Sequence, residues 1–245
     1  MIVFSDMDGT LLTSDKQMGD ATWAMLDELA RRSIEFVPCT GRPLSGVFEP
    51  ILAHPAVHYA VCANGASVWQ LDDDVPNDAS RATRILSRPL DRGIAHRVHR
   101  IAAGHDVTFD IFADGQCFLP ARSTRAWTNS VAATPHRGFA QAHTNADRHG
   151  YRQQNRRGRD ARTHRHVLAR PRRSRRHRGA LDTLGGIEVT RSYAMNIEVM
   201  GEGTTKERPS RGCVSIWASV SPTPGRSATT STTSPCCRQR AMAWP

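Results

Sequence analysis

Two carboxylates, Asp6 and Asp8, stand one residue apart directly after an apolar run at residues 1–4. A carboxylate at the carboxyl end of a buried parallel strand lies where α/β sheets bind ligands. The first acid can attack phosphorus as a nucleophile, and the second can protonate the leaving oxygen and later deprotonate water. Gly9 lets the backbone turn away, and Thr10 offers a hydroxyl to a phosphoryl oxygen. Because two close acids repel each other without a cation, we expect Mg²⁺.

The elements that must position these acids alternate between strands and helices. Strand patterns cover residues 2–5, 34–38 and 59–62, and apolar residues at helical spacing cover residues 21–32, 44–53 and 92–103. Residues 107–119 predict a hairpin that turns at Asp114 and Gly115. Strands that alternate with helices in this way predict a parallel sheet with crossover helices.

Composition limits the classes of protein to consider. The chain has 245 residues and a net charge of +10, and all but two of its 33 basic residues are arginine. Its six cysteines show no spacing typical of metal ligands, so we expect reduced thiols. No basic segment precedes a long apolar one, and no apolar run could span a bilayer. We therefore expect a cytoplasmic protein without a membrane partner, and nothing in the sequence indicates its oligomeric state.

Four segments, in order along the chain, resemble a known family. FSDMDGTLL resembles motif I of the haloacid dehalogenase superfamily of phosphohydrolases, and CTGRP resembles motif II. CANGAS and GEGTTK resemble the segment after the third strand and the approach to motif III in the Cof-type branch. The resemblance implies Asp6 as nucleophile, Asp8 as general acid/base, and Mg²⁺ held by Asp6 and by Asp8 through a nearby backbone carbonyl. It implies phosphate- or substrate-binding roles for Thr10, Thr40, Gly41, Arg42, Asn64 and Lys206.

Each of these segments also has an ordinary structural interpretation. An Asp-rich stretch with a threonine can be a solvated turn, and TGR is compatible with the first turn of a helix. Asn-Gly is a strong turn pair, and a lone lysine is usually solvated.

The Cof-type resemblance implies a Rossmann-like, doubly wound α/β core with an inserted class IIB α/β cap. The core would comprise residues 1–82 and 180–245, and the cap residues 83–179. The implied activity is Mg²⁺-dependent hydrolysis of a phosphomonoester through an aspartyl-phosphate. The substrate would be a small phosphorylated metabolite, a sugar phosphate in preference to a nucleotide, and the alternative is a sugar phosphomutase of the same superfamily.

Two segments depart from the family pattern. Residues 128–178 are crowded with Arg and His and show no hydrophobic periodicity, and no Asp or Glu follows Glu207, where the family has an acidic motif IV. One choice of codons for residues 228–245, read two bases later, encodes NDIDDIAML, which supplies such acids. We interpret residues 128–178 and the tail after about residue 208 as frame-displaced. An inactive remnant is therefore the alternative to an active enzyme.

The Arg-rich middle segment makes nucleic-acid binding a second function to consider. Clustered arginines neutralise phosphates and give a salt-dependent affinity. These arginines follow no helical face, however, and Tyr151 alone interrupts the densest part. We expect weak attraction to DNA without sequence preference, and no specific nucleic-acid partner.

Overall fold

The computed structural model describes the fold through most of the amino-terminal half and part of the remainder. The described residues are 1–13, 16–76, 80–105, 107–118, 144–145, 161–168, 174–191 and 196–204. They form two compact units, with residues 1–87 in the first unit and residues 88–204 in the second.

The first unit is a five-stranded sheet with helices on its connections. The strands are β1 (Ile2–Asp6), β2 (Glu35–Cys39), β3 (Tyr59–Cys62), β4 (Ser67–Gln70) and β5 (Thr83–Ser87), in that spatial order. The first three run parallel, and β4 and β5 continue the sheet antiparallel. This is the Rossmann-like α/β arrangement that the alternation of strands and helices predicts.

Apolar side chains cover both faces of this sheet. Helices α1 (Asp20–Arg31) and α2 (Glu49–Leu52) contribute Leu26, Ile51 and Leu52 to the cluster on one face. Alternate residues of the strands form a second buried cluster, which contains Ile2, Phe4, Val37, Cys39, Val61 and Val68. Burial on both faces explains why the strands read as continuous apolar runs.

One predicted helix is broken. Residues 44–53 were expected to form a single helix, but a 3₁₀ turn (Leu44–Gly46) is followed by extended backbone and then by α2. Pro50 lies in the first turn of α2, and proline lacks the N–H that a continuing helix would need. The helix therefore restarts at Glu49.

The second unit contains a six-stranded sheet with two helices. In spatial order the strands are β10 (Ile187–Thr190), β11 (Asn196–Gly201), β9 (Ala161–Leu168), β6 (Val107–Ala113), β7 (Gln116–Phe118) and β8 (Thr144–Asn145). Helices α3 (Arg92–Ala103) and α4 (Ser174–Asp182) bury Val98 and Leu181 against Ile197 and Val199 of β11. The predicted hairpin is present as β6 and β7, with Asp114 and Gly115 between them.

The observed division differs from the predicted domain limits at both boundaries. Residues 83–87 pair with β4 as β5, so the first unit extends to residue 87. Residues 180–204 were assigned to the core, but β10 and β11 pair with each other and with β9 in the second sheet. Strand β9 and the start of α4 also lie within residues 128–178, for which no regular element was expected. Strand β8 is also described within that segment; its remaining residues, and the tail from residue 205, lie outside the described residues.

Three cysteines are described, and all three are buried thiols: Cys39, Cys62 and Cys117. Burial raises the pKa of the Cys62 thiol far above its usual range, so the thiolate form is disfavoured. Among the described helices, none has the length and apolar character needed to cross a bilayer.

The first prediction concerns an ion pair that joins the start of β2 to the residue before β3. Glu35 accepts hydrogen bonds from the His58 backbone N–H and from His58 Nδ1, both at 2.9 Å. The hydrogen bond with Glu35 raises the pKa of His58 above its ordinary 6.5; burial opposes the shift, and the charges of Glu35 and Asp73 add to it. The stabilisation should be complete below pH 6.5 and lost as the pH rises through the raised pKa.

Glu35→Gln should therefore destabilise the protein by about 0.2–1 kcal/mol below pH 6.5 and by less above the raised pKa of His58. The loss stays small because the His58 side chain is half exposed. The measurement is the free energy of unfolding of both proteins across this pH range. An equal loss of stability at every pH would contradict the prediction.

Candidate active site

The carboxyl ends of three parallel strands define the candidate site. In the register of the sheet, Asp6 of β1 is paired with Cys39 of β2, and Cys39 is paired with Val61 of β3. The chain leaves the sheet after Asp6, after Cys39 and after Cys62, which follows Val61 at the end of β3; all three points lie at the same edge, since parallel strands end on one side. Thr40 and Asn64 are brought to this edge next to the residues that follow Asp6.

A tight turn follows β1 and displays the second carboxylate. The carbonyl oxygen of Met7 accepts the backbone N–H groups of Thr10, Leu11 and Leu12, at 3.4, 3.0 and 2.8 Å. Met7 and the two leucines are buried, and the three residues between them are exposed. Gly9 has a φ of +80°, a conformation that costs glycine little and other residues more.

Thr40 ties the ends of β2 and β3 together. Its side chain is buried, and its backbone N–H donates to the carbonyl of Val61 at 2.9 Å. Its carbonyl accepts the N–H of Asn64 at 3.0 Å, and its Oγ1 accepts the N–H of Arg42 at 3.2 Å. Because Oγ1 acts as an acceptor in that bond, the hydroxyl can still donate its proton to a phosphoryl oxygen.

The turn after β3 holds two successive left-handed residues. Ala63 and Asn64 have φ values of 53° and 55°. Asparagine tolerates this region, whereas alanine is strained there by about 1–2 kcal/mol. The backbone N–H of Ala63 donates to the carbonyl of Arg42 at 2.8 Å, which together with the Asn64–Thr40 bond holds the strained turn in place. Such local strain is typical of functional turns.

Arg42 joins the turn after β1 to the loop after β2. Its Nε lies 3.0 Å from Oδ2 of Asp8, and its Nη2 lies 2.5 Å from Oδ1. Its Nη1 donates to the carbonyl of Gly46 at 3.1 Å. A guanidinium held on both carboxylate oxygens fixes their orientation as well as their charge.

A second cation reaches the same carboxylate. Lys16 Nζ lies 2.7 Å from Oδ1 of Asp8. Burial by itself would raise the pKa of Asp8, but the hydrogen bonds and charges of Arg42, and then those of Lys16, outweigh burial and lower it. These contacts favour the ionised form of the Asp8 carboxylate.

The structure brings most of the predicted site residues to one edge of the first sheet. Those at this edge are Asp6, Asp8, Thr10, Thr40, Gly41, Arg42 and Asn64. Lys206 lies outside the described residues. Arg42 was expected to bind substrate; its guanidinium contacts Asp8 in the structure, and a contact with substrate stays a prediction. Lys16 was not predicted, because no periodicity or motif in the sequence connects it with Asp8.

The chemistry of the donor set can be tested against Mg²⁺. Proteins usually bind this ion through one or two carboxylates, substrate phosphate and retained waters. Asp6 offers a carboxylate of this kind at the end of β1, whereas the Asp8 carboxylate already binds two cations. No cluster of three or more His, Cys, Asp or Glu side chains suited to a metal occurs among the described residues. The Asp6 carboxylate is therefore a donor of the kind that fits Mg²⁺, and the predicted metal contact through a backbone carbonyl near Asp8 stays a prediction.

Comparisons with known proteins agree on one family. A family model described as haloacid dehalogenase-like hydrolase matches residues 3–210. An HMP-PP phosphatase from Serratia proteamaculans is 32% identical over 110 residues, which is 44% of this chain and 36% of that protein. The match thus spans little more than a third of the curated relative.

Solved structures show the same fold at low identity. A haloacid dehalogenase-like hydrolase from Bacteroides thetaiotaomicron superposes with a TM-score of 0.70 at 13% identity, over 89% of this chain and 77% of that one. One from B. subtilis gives 0.68 at 15% identity, over 89% and 79%. A sugar phosphatase of subclass IIB gives 0.67 at 12% identity, over 89% and 76%.

The second prediction concerns the turn that displays Asp8. A Cβ added at Gly9 would meet no atom within 4 Å, so only its φ of +80° opposes a side chain. We expect Gly9→Ala to destabilise the protein by about 1–2 kcal/mol through backbone strain alone. Gly185→Ala is the matched control, because Gly185 also has open space around it but lies outside the left-handed region.

Thermal unfolding of both variants is the measurement. Equal unfolding temperatures for the two alanine variants would show that the turn can adopt another conformation without cost.

Proposed function

Because the chain belongs to the haloacid dehalogenase-like hydrolases, we propose that it is a phosphatase that hydrolyses phosphomonoesters of small metabolites through an aspartyl-phosphate on Asp6. The observation that supports this proposal is the position of Asp6 and Asp8 at the carboxyl end of β1, in register with the end of β2 that carries Thr40. A nucleophile, a proton-transferring group and a hydroxyl donor thus share one sheet edge.

In the first step, a carboxylate oxygen of Asp6 attacks phosphorus. The bond between phosphorus and the ester oxygen breaks, and the leaving alkoxide takes a proton from the minor protonated form of Asp8, since Arg42 and Lys16 favour the ionised form. The Thr40 hydroxyl donates a hydrogen bond to a phosphoryl oxygen, which stabilises the negative charge that develops on that oxygen. The products are the free alcohol and phosphate covalently bound to Asp6.

In the second step, a water molecule attacks the phosphorus of the aspartyl-phosphate. Asp8, now ionised, takes the proton of this water, and the bond between phosphorus and the Asp6 oxygen breaks. Inorganic phosphate leaves, and both carboxyl groups regain their starting states. Arg42 is the positioning residue for both steps, because it holds the two oxygens of Asp8 in one orientation.

Mg²⁺ is the proposed cofactor, with the Asp6 carboxylate as its ligand from the described residues. When bound, it would neutralise charge on the carboxylate and on the phosphoryl group. With a single carboxylate committed to it, we expect weak binding in the absence of phosphate.

The substrate class rests on the relatives. A sugar phosphate is the first choice, in line with the sugar phosphatase of the same fold. HMP-PP is the second, because the curated relative is named for it. A panel that contains hexose phosphates, HMP-PP and a nucleoside monophosphate would separate these classes by their kcat/KM values.

The third prediction concerns the two carboxylates. Asp6→Asn should abolish hydrolysis of an aryl phosphate, because an amide cannot form the acyl-phosphate. Asp8→Asn should lower kcat by about 10²–10⁴-fold, which is the usual contribution of general acid–base catalysis. The control is Asp20→Asn, which alters an acid in the first turn of α1.

Release of inorganic phosphate is measured for all four proteins. If Asp6→Asn retains the parental rate, the assignment of the nucleophile is wrong.

The fourth prediction separates the roles of the same two acids toward the metal. We expect EDTA to remove activity and Mg²⁺ to restore it in the parent. In the presence of inorganic phosphate, Mg²⁺ should raise the melting temperature of the parent and of Asp8→Asn, but not that of Asp6→Asn, since Arg42 holds both oxygens of the Asp8 carboxylate. Loss of the Mg²⁺ effect in Asp8→Asn as complete as in Asp6→Asn would contradict this division of roles.

A further inference from the structure

Hydrogen bonds among Thr13, Lys16 and Gln17 bring Lys16 back to the turn after β1. The Lys16 backbone N–H donates to the carbonyl of Thr13 at 3.0 Å, and Lys16 has a φ of +64°. Thr13 and Gln17 close the loop with three further bonds: the N–H of Thr13 donates to the carbonyl of Gln17 at 2.9 Å, Thr13 Oγ1 donates to the same carbonyl at 2.9 Å, and the N–H of Gln17 donates to Thr13 Oγ1 at 3.2 Å. A strained lysine backbone is thus held so that its side chain reaches Asp8.

The two cations on Asp8 are held very differently. Arg42 is 12% exposed, contacts both oxygens of the carboxylate and is anchored on the carbonyl of Gly46. Lys16 is 34% exposed, and its ammonium approaches Oδ1 alone. Because Arg42 already occupies both oxygens, the carboxylate keeps its orientation without Lys16.

Release of Lys16 from Asp8 should cost little. Ion pairs between partly exposed side chains contribute little to stability, and the lysine ammonium is a point charge on a flexible stem. A phosphate group near neutral pH carries more negative charge than one carboxylate and has several acceptor oxygens. Its arrival at this edge therefore offers the ammonium a stronger partner than Oδ1.

We propose that Lys16 is a mobile phosphate-binding residue of this site, which rests on Asp8 when the site is empty and transfers to a phosphoryl oxygen when substrate binds. This inference depends on the proposed function for its substrate, and it adds a residue outside the motifs that identify the family. Lys16 supplies positive charge from the exposed side of Asp8, and Arg42 retains the carboxylate during the transfer.

The test compares Lys16→Gln and Lys16→Arg with the parent and with Arg31→Gln, which removes an exposed cation from α1. One readout is binding of inorganic phosphate, measured by calorimetry with Mg²⁺ present. We expect Lys16→Gln to weaken this binding about tenfold, the lower end for one charge-assisted hydrogen bond. Lys16→Arg should stay within about threefold of the parent, and Arg31→Gln should be unchanged.

The second readout is steady-state hydrolysis. Lys16→Gln should raise KM about tenfold and change kcat by less than about threefold, because the ammonium binds the phosphate in the ground state as well as in the transition state. A lysine that only secures the loop would change the unfolding temperature and leave the phosphate affinity and KM as they are.

The two proposals fail separately. Phosphate binding that is absent from the parent, or equal in the parent and Lys16→Gln, overturns the role of Lys16 whatever the hydrolysis assay shows. A parent that binds phosphate through Lys16 but hydrolyses no phosphomonoester supports the inference and refutes the proposed enzyme.

Discussion

The parallel pairing of β1, β2 and β3 is the constraint on which the candidate site depends. It aligns Asp6, Cys39 and Val61 in one row, so that three chain segments leave the sheet side by side. Each segment must then hydrogen-bond its backbone N–H and C=O groups as it turns away from the sheet. The carbonyl of Met7 accepts N–H groups from its own turn, and the backbone of Thr40 bonds to Val61 and to Asn64. Gly9, Ala63 and Asn64 adopt left-handed backbone conformations at this edge because the chain must turn there within a few residues. A shift of one residue in the register would send every one of these side chains to the opposite face.

Electrostatic compensation is the second requirement. A partly buried carboxylate is costly unless charged donors replace its water, and Arg42 does so with two hydrogen bonds across 34 residues of sequence. The same guanidinium binds the carbonyl of Gly46, at the point where Pro50 prevents a continuous helix. The break in the helix therefore leaves a carbonyl oxygen for the arginine, and the loop after β2 is organised around a residue that serves the turn after β1.

The sequence alone predicted the elements whose structure is determined by residues close to one another in the chain. Residues 92–103 form a helix as their apolar spacing predicts, and Asp114 and Gly115 form the predicted hairpin turn. It was insufficient where the cause is distant: β9 is an Arg- and His-rich segment that exists as a strand through its pairing with β6 and β11. The contact between Asp8 and Lys16 depends on hydrogen bonds between Thr13 and Gln17, which no periodicity in the sequence predicts. The motif residues were recognised through their resemblance to a family, and their roles remain predictions.

The buried thiols give each sheet its own reporter of opening. Cys62 lies in β3 with no exposure, and Cys117 lies in β7 of the second unit with 6%. A thiolate attacks an alkylating reagent, so either residue is modified mainly in molecules whose strands have separated from their neighbours. The rates of alkylation at the two peptides, each divided by its rate in the unfolded chain, would give the opening free energy of each sheet in a single native sample. Two sheets that open together would yield one opening free energy, and two that open independently would yield two.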